Sequence, residues 1–229
     1  MATSSLQERK QRELDQRRKD ILKIVRKMIA KSGARDITMR KVADESGFSN
    51  TVVYALFGDK ASMIASAVDD DLIRLHKLMQ AAVAQGGTAL ERIRLAGHAY
   101  VEDGLQHPDP YFLVFMERRP AAPIENSSLK FGDPASDPYA FVRGLAAELA
   151  AEGFVAADEK QVSVVTQILW EGLHGMTSLR VSTGDDPWID RIDAGAHLDL
   201  LLDILLLGIV QRFPGRKSAA AIKLLSGKR

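Results

Sequence analysis

The sequence predicts an all-α fold, with a small three-helix head followed by a larger helical body, about nine helices in all. Two observations carry this prediction. Apolar residues recur at three- and four-residue spacing through most of the 229-residue chain, and no strict apolar–polar alternation persists for long. Charge also divides the chain into segments of opposite sign, which indicates parts with different surroundings.

The charge is unevenly distributed, although the formal net charge is only +1. Residues 1–66 carry 14 Lys and Arg against 8 Asp and Glu, and residues 67–210 carry 11 against 22. Residues 211–229 carry 6 basic groups and no acidic group. A basic segment on an acidic body is typical of nucleic-acid-binding proteins, and a merely solvated charged face is the alternative. We therefore expect three parts: an N-terminal arm and head over 1–66, a body over 67–213 and a basic tail over 214–229.

Several classes of protein are excluded or disfavoured by composition. The absence of cysteine excludes disulfides, thiolate metal sites and cysteine nucleophiles. The five histidines are scattered, and neither a Gly-x-Ser-x-Gly motif nor a phosphate-binding glycine loop is present. We expect no enzyme, no metal and no cofactor.

The sequence also predicts a cytoplasmic protein that does not enter a membrane. Residues 1–20 are polar and lack the apolar stretch of a signal peptide. The most apolar window, 198–210, contains Asp199 and Asp203 and is shorter than the roughly 20 residues that span a bilayer.

The head is expected to begin with a helix whose apolar face starts at Ile21, with Gly33 as a left-handed cap at its end. Two short helices are predicted next, one beginning at Thr38 and the other at Ser49, because both residue types cap helix N-termini. A longer helix follows from about residue 59. Further helices are expected over 88–106, 111–119, 138–152, 158–182 and 187–213, with a proline-rich loop over 120–138.

The two short helices are predicted to cross at a tight turn. Gly47 permits the sharp change of direction, and Phe48 fills the angle between the helices. Small Ala43 lets the second helix approach closely, and Val53 faces it from that helix. Two helices joined in this way form a helix-turn-helix, whose second helix enters the major groove of DNA.

Side chains around this turn have the chemistry that base and phosphate recognition requires. Asparagine pairs with adenine, arginine pairs with guanine, and a threonine methyl contacts the thymine methyl. Asn50, Thr51 and Arg40 are therefore predicted to read base edges. Phosphate contacts, which set position rather than sequence, are expected from Tyr54, Lys41 and Lys60.

The stretch 21–63 resembles the DNA-binding head of the TetR family of transcriptional regulators. The matching positions are Gly33, Thr38, Val42, Ala43, Gly47, Phe48, Ser49, Val53, Tyr54, Phe57 and Lys60. The resemblance implies a homodimeric repressor that binds a near-palindromic double-stranded DNA operator and a small-molecule effector. Together with the side-chain chemistry, it gives the expected DNA contacts: Thr38, Arg40, Lys41, Ser49, Asn50, Thr51, Tyr54 and Lys60.

Two positions depart from the usual pattern of that family. Leu56 stands where the family often has His or Tyr, which removes one phosphate contact. Thr51 and Val52 replace a Gly or Pro followed by Thr or Ser, so the details of base reading are expected to differ.

The body is expected to hold the effector in an apolar pocket, although each candidate residue also fits an ordinary core position. Trp170 and His174 lie four residues apart and therefore share a helix face. With Gly175 they resemble a C-terminal domain type, found in part of the TetR family, that is marked by Trp and His-Gly. The acidic body argues against an anionic effector, so an apolar, uncharged or cationic ligand is expected. The predicted pocket residues are Tyr100, Phe112, Phe115, Met116, Phe141, Trp170, His174 and Met176.

The helix predicted over 187–213 is apolar nearly all round and must be buried on several sides. We expect it to pair with the helix over 158–182 across a two-fold axis, which gives a four-helix homodimer interface. The alternative is a central core helix within one subunit. For the protein as a whole, the alternative function is a helical ligand- or protein-binding module that does not bind DNA.

Overall fold

The computed structural model describes residues 2–120, 127–184 and 186–227, with side chains from residue 6 onward. The regular secondary structure of these ranges is helical apart from one antiparallel bridge between Val155 and Pro214, which confirms the all-α class. They contain ten α-helices and a short 3-10 helix, Ala34–Asp36. The α-helices are α1 Ala2–Ser32, α2 Met39–Ser46, α3 Asn50–Phe57, α4 Lys60–Val83, α5 Ala89–Gln106, α6 Pro108–Phe115, α7 Pro138–Ala151, α8 Glu159–Ser182, α9 Ala194–Arg212 and α10 Ser218–Leu225.

The chain divides into two compact units. The first comprises Met1–Leu72 with Asp109–Ser128, and the second comprises Ile73–Pro108 with Leu129–Arg229. Helix α4 contributes its first part to the first unit and its last part to the second. Most of α6 therefore belongs to the first unit, whereas the body expected over 67–213 includes residues 109–128.

One apolar core holds the first unit together. It is built from one face of α1, from α2 and α3 through Val42 and Val53, and from the first half of α4. Leu113 and Val114 of α6 are buried in the same core. A helix distant in sequence thus helps to fix the positions of the helix-turn-helix.

A half-buried arginine joins α1 to α4 within this unit. The Arg26 guanidinium donates to the Asp71 carboxylate at 2.8 Å and to the Ala67 carbonyl at 3.0 Å. The Asp70 carboxylate lies 3.8 Å away. Because this cation has both a charged and a neutral acceptor, its partial burial is compensated.

The core of the second unit lies among α5, α7, α8 and α9. Capping boxes at Thr88 and Asp158 begin α5 and α8, where the sequence predicts their starts. At Gly172 of α8 a Cβ atom would lie 2.7 Å from the Leu205 side chain of α9. This glycine therefore permits a close approach of the two helices.

The expected start of the last long helix at 187 is wrong. Helix α9 begins at Ala194, because the Asp193 carboxylate accepts a hydrogen bond from the Ala196 amide and caps the helix there. Part of the loop expected over 120–138 lies outside the described residues, and its described part, 127–137, consists of turns.

By length and composition alone, α9 is the one helix of the described chain that is apolar enough to cross a membrane. Its mean hydropathy is 1.6, and 28% of the window is buried. Leu202 and Leu206 lie in the core, whereas Leu200 and Ile204 are 54% and 58% exposed. The helix therefore has one face in the core of the second unit and one apolar face exposed.

The basic tail contributes a folded helix to the second unit. Ser218, Ala221 and Leu225 of α10 are buried, and α10 packs against α9. The Lys217 amide donates to the Gly153 carbonyl at 2.8 Å. Most of the segment 214–229 is thus part of the second unit rather than a separate appendage.

The shared core of the first unit predicts a large effect for Leu113→Ala. Leu113 is fully buried, and removing its side chain is expected to lower the free energy of unfolding by about 2–5 kcal/mol. Urea denaturation followed by circular dichroism measures the loss. The neighbouring Phe112→Ala is the control, because Phe112 is 37% exposed and lies outside the buried core. Equal losses for the two variants would contradict the assignment of Leu113 to this core.

Candidate functional site

The turn between α2 and α3 has the predicted geometry. Gly47 adopts φ 73° and ψ 10°, in the left-handed region that favours glycine. The Thr38 hydroxyl accepts from the Lys41 amide at 3.2 Å, and the Ser49 hydroxyl accepts from the Val52 amide at 3.3 Å. Both short helices are therefore capped by the residues that the sequence indicated.

The start of α3 presents polar side chains to solvent, while its other face is buried. Asn50 and Thr51 are exposed, and Tyr54 is 53% exposed. Val53 and Phe57 lie in the core on the opposite side. The three exposed side chains are thus brought together on one rigid surface, as recognition of a DNA groove requires.

Two predicted phosphate-binding lysines hold backbone carbonyls of the 3-10 helix. The Lys60 ammonium donates to the Arg35 carbonyl at 2.8 Å, and the Lys41 ammonium donates to the Asp36 carbonyl at 3.0 Å. Arg40 is highly exposed, with its guanidinium 4.0 Å from the Asp44 carboxylate. A phosphate would therefore compete with one neutral carbonyl acceptor at each lysine.

The N-terminus of α4 is already capped by an acid. The Asp59 carboxylate accepts from the Ser62 amide at 2.7 Å, and this hydrogen bond holds the pKa of Asp59 below its ordinary value. The helix terminus therefore offers less to a phosphate than Lys60 itself does.

Helix α1 carries a row of cations that sequence reasoning did not single out. The helix runs without interruption from Ala2, and residues spaced by three, four or seven positions share one of its sides. We call the exposed residues Arg9, Arg12, Lys19, Lys23 and Lys27 the cationic stripe. It extends over about 27 Å. The spacing of these charges in the sequence predicts the stripe once residues 9–27 are taken to be helical.

The middle of α1 is connected to α3 by a cation–π contact. The guanidinium of Arg18 lies 5.4 Å from the ring centre of Phe57, the last residue of α3. This contact holds Arg18 of α1 beside the C-terminal end of the recognition helix.

The predicted pocket residues divide between the two units. Phe112, Phe115 and Met116 belong to the first unit, where Phe115 packs against the core and its ring centre lies 5.1 Å from that of Tyr111. The other five predicted residues belong to the second unit: Tyr100, Phe141, Trp170, His174 and Met176.

Four aromatic or imidazole rings of the second unit form a continuous set of contacts. The Tyr100 hydroxyl lies 3.4 Å from Nδ1 of His174, and the His174 ring centre lies 6.3 Å from that of Trp170. Trp170 in turn meets Tyr139 edge-on at 6.4 Å. Burial lowers the pKa of His174, so its neutral form is favoured. The structure thus brings three of the predicted residues together and adds Tyr139.

A histidine that sequence reasoning passed over is the most unusual polar group of the second unit. His76 is only 3% exposed, and neither ring nitrogen has a hydrogen-bond partner among the described residues. Its ring lies 5.1 Å from that of Phe141. Leaving a buried polar atom without a partner costs about 1–3 kcal/mol. No sequence signal marks this residue, because its partners depend on tertiary packing.

Comparison with known proteins agrees with this geometry. Residues 93–205 match a family model described as the tetracyclin repressor-like C-terminal domain. No curated protein matches the sequence. The chain belongs to the TetR family of transcriptional regulators.

Solved regulators share the fold of this TetR-family chain at low sequence identity. A TetR family transcription regulator from Marinobacter aquaeolei VT8 is 14% identical, with a TM-score of 0.60 over 86% of this chain and 96% of that chain. FadR from Bacillus subtilis, solved in complex with stearoyl-CoA, is 15% identical, with a TM-score of 0.65 and coverages of 82% and 96%. A TetR-like transcriptional regulator from Rhodococcus sp. RHA1 is 15% identical, with a TM-score of 0.59 and coverages of 84% and 95%.

The first unit of the regulator contains a cavity of about 370 Å³. Each of its charged lining groups has a protein partner: Glu117 accepts from the Ala34 amide, Arg119 donates to the Val114 carbonyl, and Asp69 accepts from residues 127 and 128. We therefore assign no ligand to this cavity. It is lined by Ile64, Ala65, Val68, Asp69, Glu117, Arg119 and Pro120.

The turn of the regulator's helix-turn-helix predicts opposite effects for two glycine substitutions. Gly47→Ala is expected to lower the free energy of unfolding by about 1 kcal/mol or more, because alanine is strained at positive φ. Gly144→Ala, in the interior of α7 with open space around it, is expected to raise it by about 0.5–1 kcal/mol. Thermal or urea unfolding compares the two. The geometry of the turn is contradicted if Gly47→Ala is neutral.

Proposed function

We propose that the protein is a homodimeric repressor that binds a near-palindromic operator in the cytoplasm and leaves it when a small, largely apolar ligand binds the second unit. The observation that carries the proposal is the surface of α3. Asn50, Thr51 and Tyr54 are exposed beside one another, and the buried side of the same helix fixes them in place. Asn50 and Thr51, with Arg40 from α2, are the proposed base readers.

Phosphate contacts come from two places in this proposal. Tyr54 lies on the recognition helix, Lys41 lies on α2, and Lys60 is the first residue of α4. Thr38 and Ser49 lie at the starts of α2 and α3. The cationic stripe of α1, in the same unit, adds five exposed cations, of which Arg9 is paired with the Glu13 carboxylate at 3.2 Å. Such contacts give affinity for any sequence and make it fall steeply with salt.

The dimer is supported by two apolar stripes on the second unit. On α8, Val164, Ile168 and Leu179 are exposed and share one side of the helix. On α9, Leu200 and Ile204 are exposed one turn apart. Burying both stripes against a second copy would remove this apolar surface from water, which is the main driving force of association. The proposed interface therefore runs through α8 and α9, with α9 starting at 194.

A dimer is also what operator binding requires. Two recognition helices enter successive major grooves only when they are held about 34–36 Å apart. A ligand that favours another separation of the two heads weakens operator binding, and a coupling of about 1–3 kcal/mol is enough for regulation.

The character of its side chains supports the second unit as the site of the effector. Tyr100, Phe141, Trp170 and His174 offer aromatic surface with few polar groups, as small-molecule sites do. FadR from Bacillus subtilis, which has a similar fold, was solved with stearoyl-CoA. The long apolar acyl chain of that molecule resembles the ligand proposed here, whereas its anionic coenzyme A group does not. The excess of acidic residues in 67–210 favours an uncharged or cationic ligand over an anion.

Base reading and phosphate binding are separable by mutation. Asn50→Ala is expected to cost about 1–3 kcal/mol of affinity at one base pair of each half-site and little elsewhere. Tyr54→Ala and Lys60→Ala are expected to weaken binding to all sequences alike. Lys60→Ala is also expected to reduce the slope of log affinity against log salt concentration by about 1, the value of one phosphate contact. Operators selected from a random duplex library, titrated by fluorescence anisotropy, provide the measurement.

The control for these variants is Lys77→Ala, an exposed lysine later in α4 that belongs to the second unit. It should leave the affinity unchanged. If Asn50→Ala weakens binding equally on every sequence, Asn50 is not a base reader. A wild-type protein without salt-dependent DNA binding would favour the alternative of a helical module that does not bind DNA.

The dimer interface predicts that Ile204→Glu gives monomers. Introducing a charge into the apolar stripe of α9 prevents its burial, because an unpaired charge cannot be desolvated cheaply. Analytical ultracentrifugation at micromolar concentration measures the mass. Leu224→Glu on α10 is the control, since Leu224 is similarly exposed but lies outside the two stripes. Dimers in both variants, or a monomeric wild type, would contradict the interface.

A further inference from the structure

We propose that His76 is the hydrogen-bonding anchor of the effector site and that the effector is an uncharged molecule with a hydroxyl group on an apolar body. This inference rests on the proposed function, because it specifies the chemistry of the ligand that the second unit binds. His76 differs from the other histidines in the polar partners of its ring.

The other four histidines all have polar partners. His98 lies 2.9 Å from the Asp199 carboxylate, and His107 lies 3.1 Å from the Asp103 carbonyl. His174 meets the Tyr100 hydroxyl, and His197 meets the Arg180 guanidinium at 3.3 Å. Within the described chain, His76 alone is buried with both nitrogens unpartnered. A histidine that served only to hold the fold together would be expected to use at least one of them.

The protonation state of His76 restricts what it can bind. Burial lowers its pKa, although the charges of Asp137 and Asp133 act in the opposite direction. The neutral ring has one N–H donor and one acceptor nitrogen on different edges. A hydroxyl group, which both donates and accepts, complements either nitrogen.

The two nearby carboxylates accept hydrogen bonds from backbone amides, and their charge disfavours an anionic ligand. Asp137 accepts from the Gly132 and Tyr139 amides, and Asp133 accepts from the Ala135 amide. Neither is bonded to His76. Their negative charges disfavour an anionic group beside the imidazole.

The surroundings of His76 are apolar on the α7 side. Its ring lies against Phe141, which packs on the core of the second unit. A flat or branched apolar body can lie against such a ring, while its hydroxyl group reaches the imidazole. His76 lies in the part of α4 that belongs to the second unit.

Three matched probes test the chemistry of the site: naphthalene, 1-naphthol and 1-naphthoate. They share one apolar body and differ in having no polar group, a hydroxyl group and a carboxylate. Each is titrated into the full-length protein at pH 7.5, and binding is followed by fluorescence. The wild type should bind 1-naphthol about tenfold more tightly than naphthalene, the value of one neutral hydrogen bond, and should bind 1-naphthoate more weakly than 1-naphthol.

His76→Leu should abolish the preference for 1-naphthol over naphthalene and leave the affinity for naphthalene unchanged or higher. His98→Leu, which removes a histidine that has a carboxylate partner, is the control and should keep the preference. Thermal unfolding gives a second readout. His76→Leu should have a Tm equal to or above that of the wild type, because an unpartnered polar ring is replaced by an apolar side chain of similar size.

The proposal is overturned if the wild type binds none of the three probes, shows no preference for 1-naphthol, or binds 1-naphthoate best. It is also overturned if His76→Leu keeps the preference or lowers the Tm, since the histidine would then be structural. DNA binding is measured separately on the same proteins. A protein that prefers 1-naphthol but never binds DNA would refute the proposed repressor and leave the ligand site standing.

Discussion

The DNA-reading surface depends on the single apolar core of the first unit. Val42 and Val53 anchor α2 and α3 in that core, and their burial leaves the polar start of α3 exposed. Leu113 of α6 fills the same space from a distant part of the sequence. Because protein cores are close-packed, a displacement of α6 cannot be absorbed locally and must be transmitted to its neighbours. The core thus gives the recognition helix its rigidity and connects it physically to the segment 109–128.

Hydrogen bonds and ion pairs of the first unit add directional contacts to the apolar packing of its core. Arg26 ties α1 to α4 through the Asp71 carboxylate and the Ala67 carbonyl. The Glu117 carboxylate accepts from the Ala34 amide at 3.1 Å and so holds the start of the 3-10 helix, whose carbonyls engage Lys41 and Lys60. These contacts place the cations close to the helix-turn-helix without burying their charge. Each ammonium group can exchange a neutral carbonyl for a phosphate, which is the stronger partner.

The second unit combines well-satisfied helix ends with features that do not favour stability. Helices α5 and α8 have complete capping boxes, yet Leu200 and Ile204 are exposed and His76 is buried without a partner among the described residues. Functional sites are where such departures from good packing are expected, because a binding surface must keep groups available for something other than the chain itself. The exposed stripes suit a second copy, and the unpartnered imidazole suits a small ligand.

The sequence by itself determined the features that depend on neighbouring residues. Thr38, Ser49, Thr88 and Asp158 cap helices where they were expected, and Gly47 makes the turn, because capping and backbone strain act over three or four residues. Tertiary structure alone decided which core α6 joins and which histidine has no partner among the described residues. The physical reason is that burial and hydrogen-bond satisfaction depend on groups far apart in the chain: Leu113 is buried by α1–α4, and the environment of His76 is set by α7.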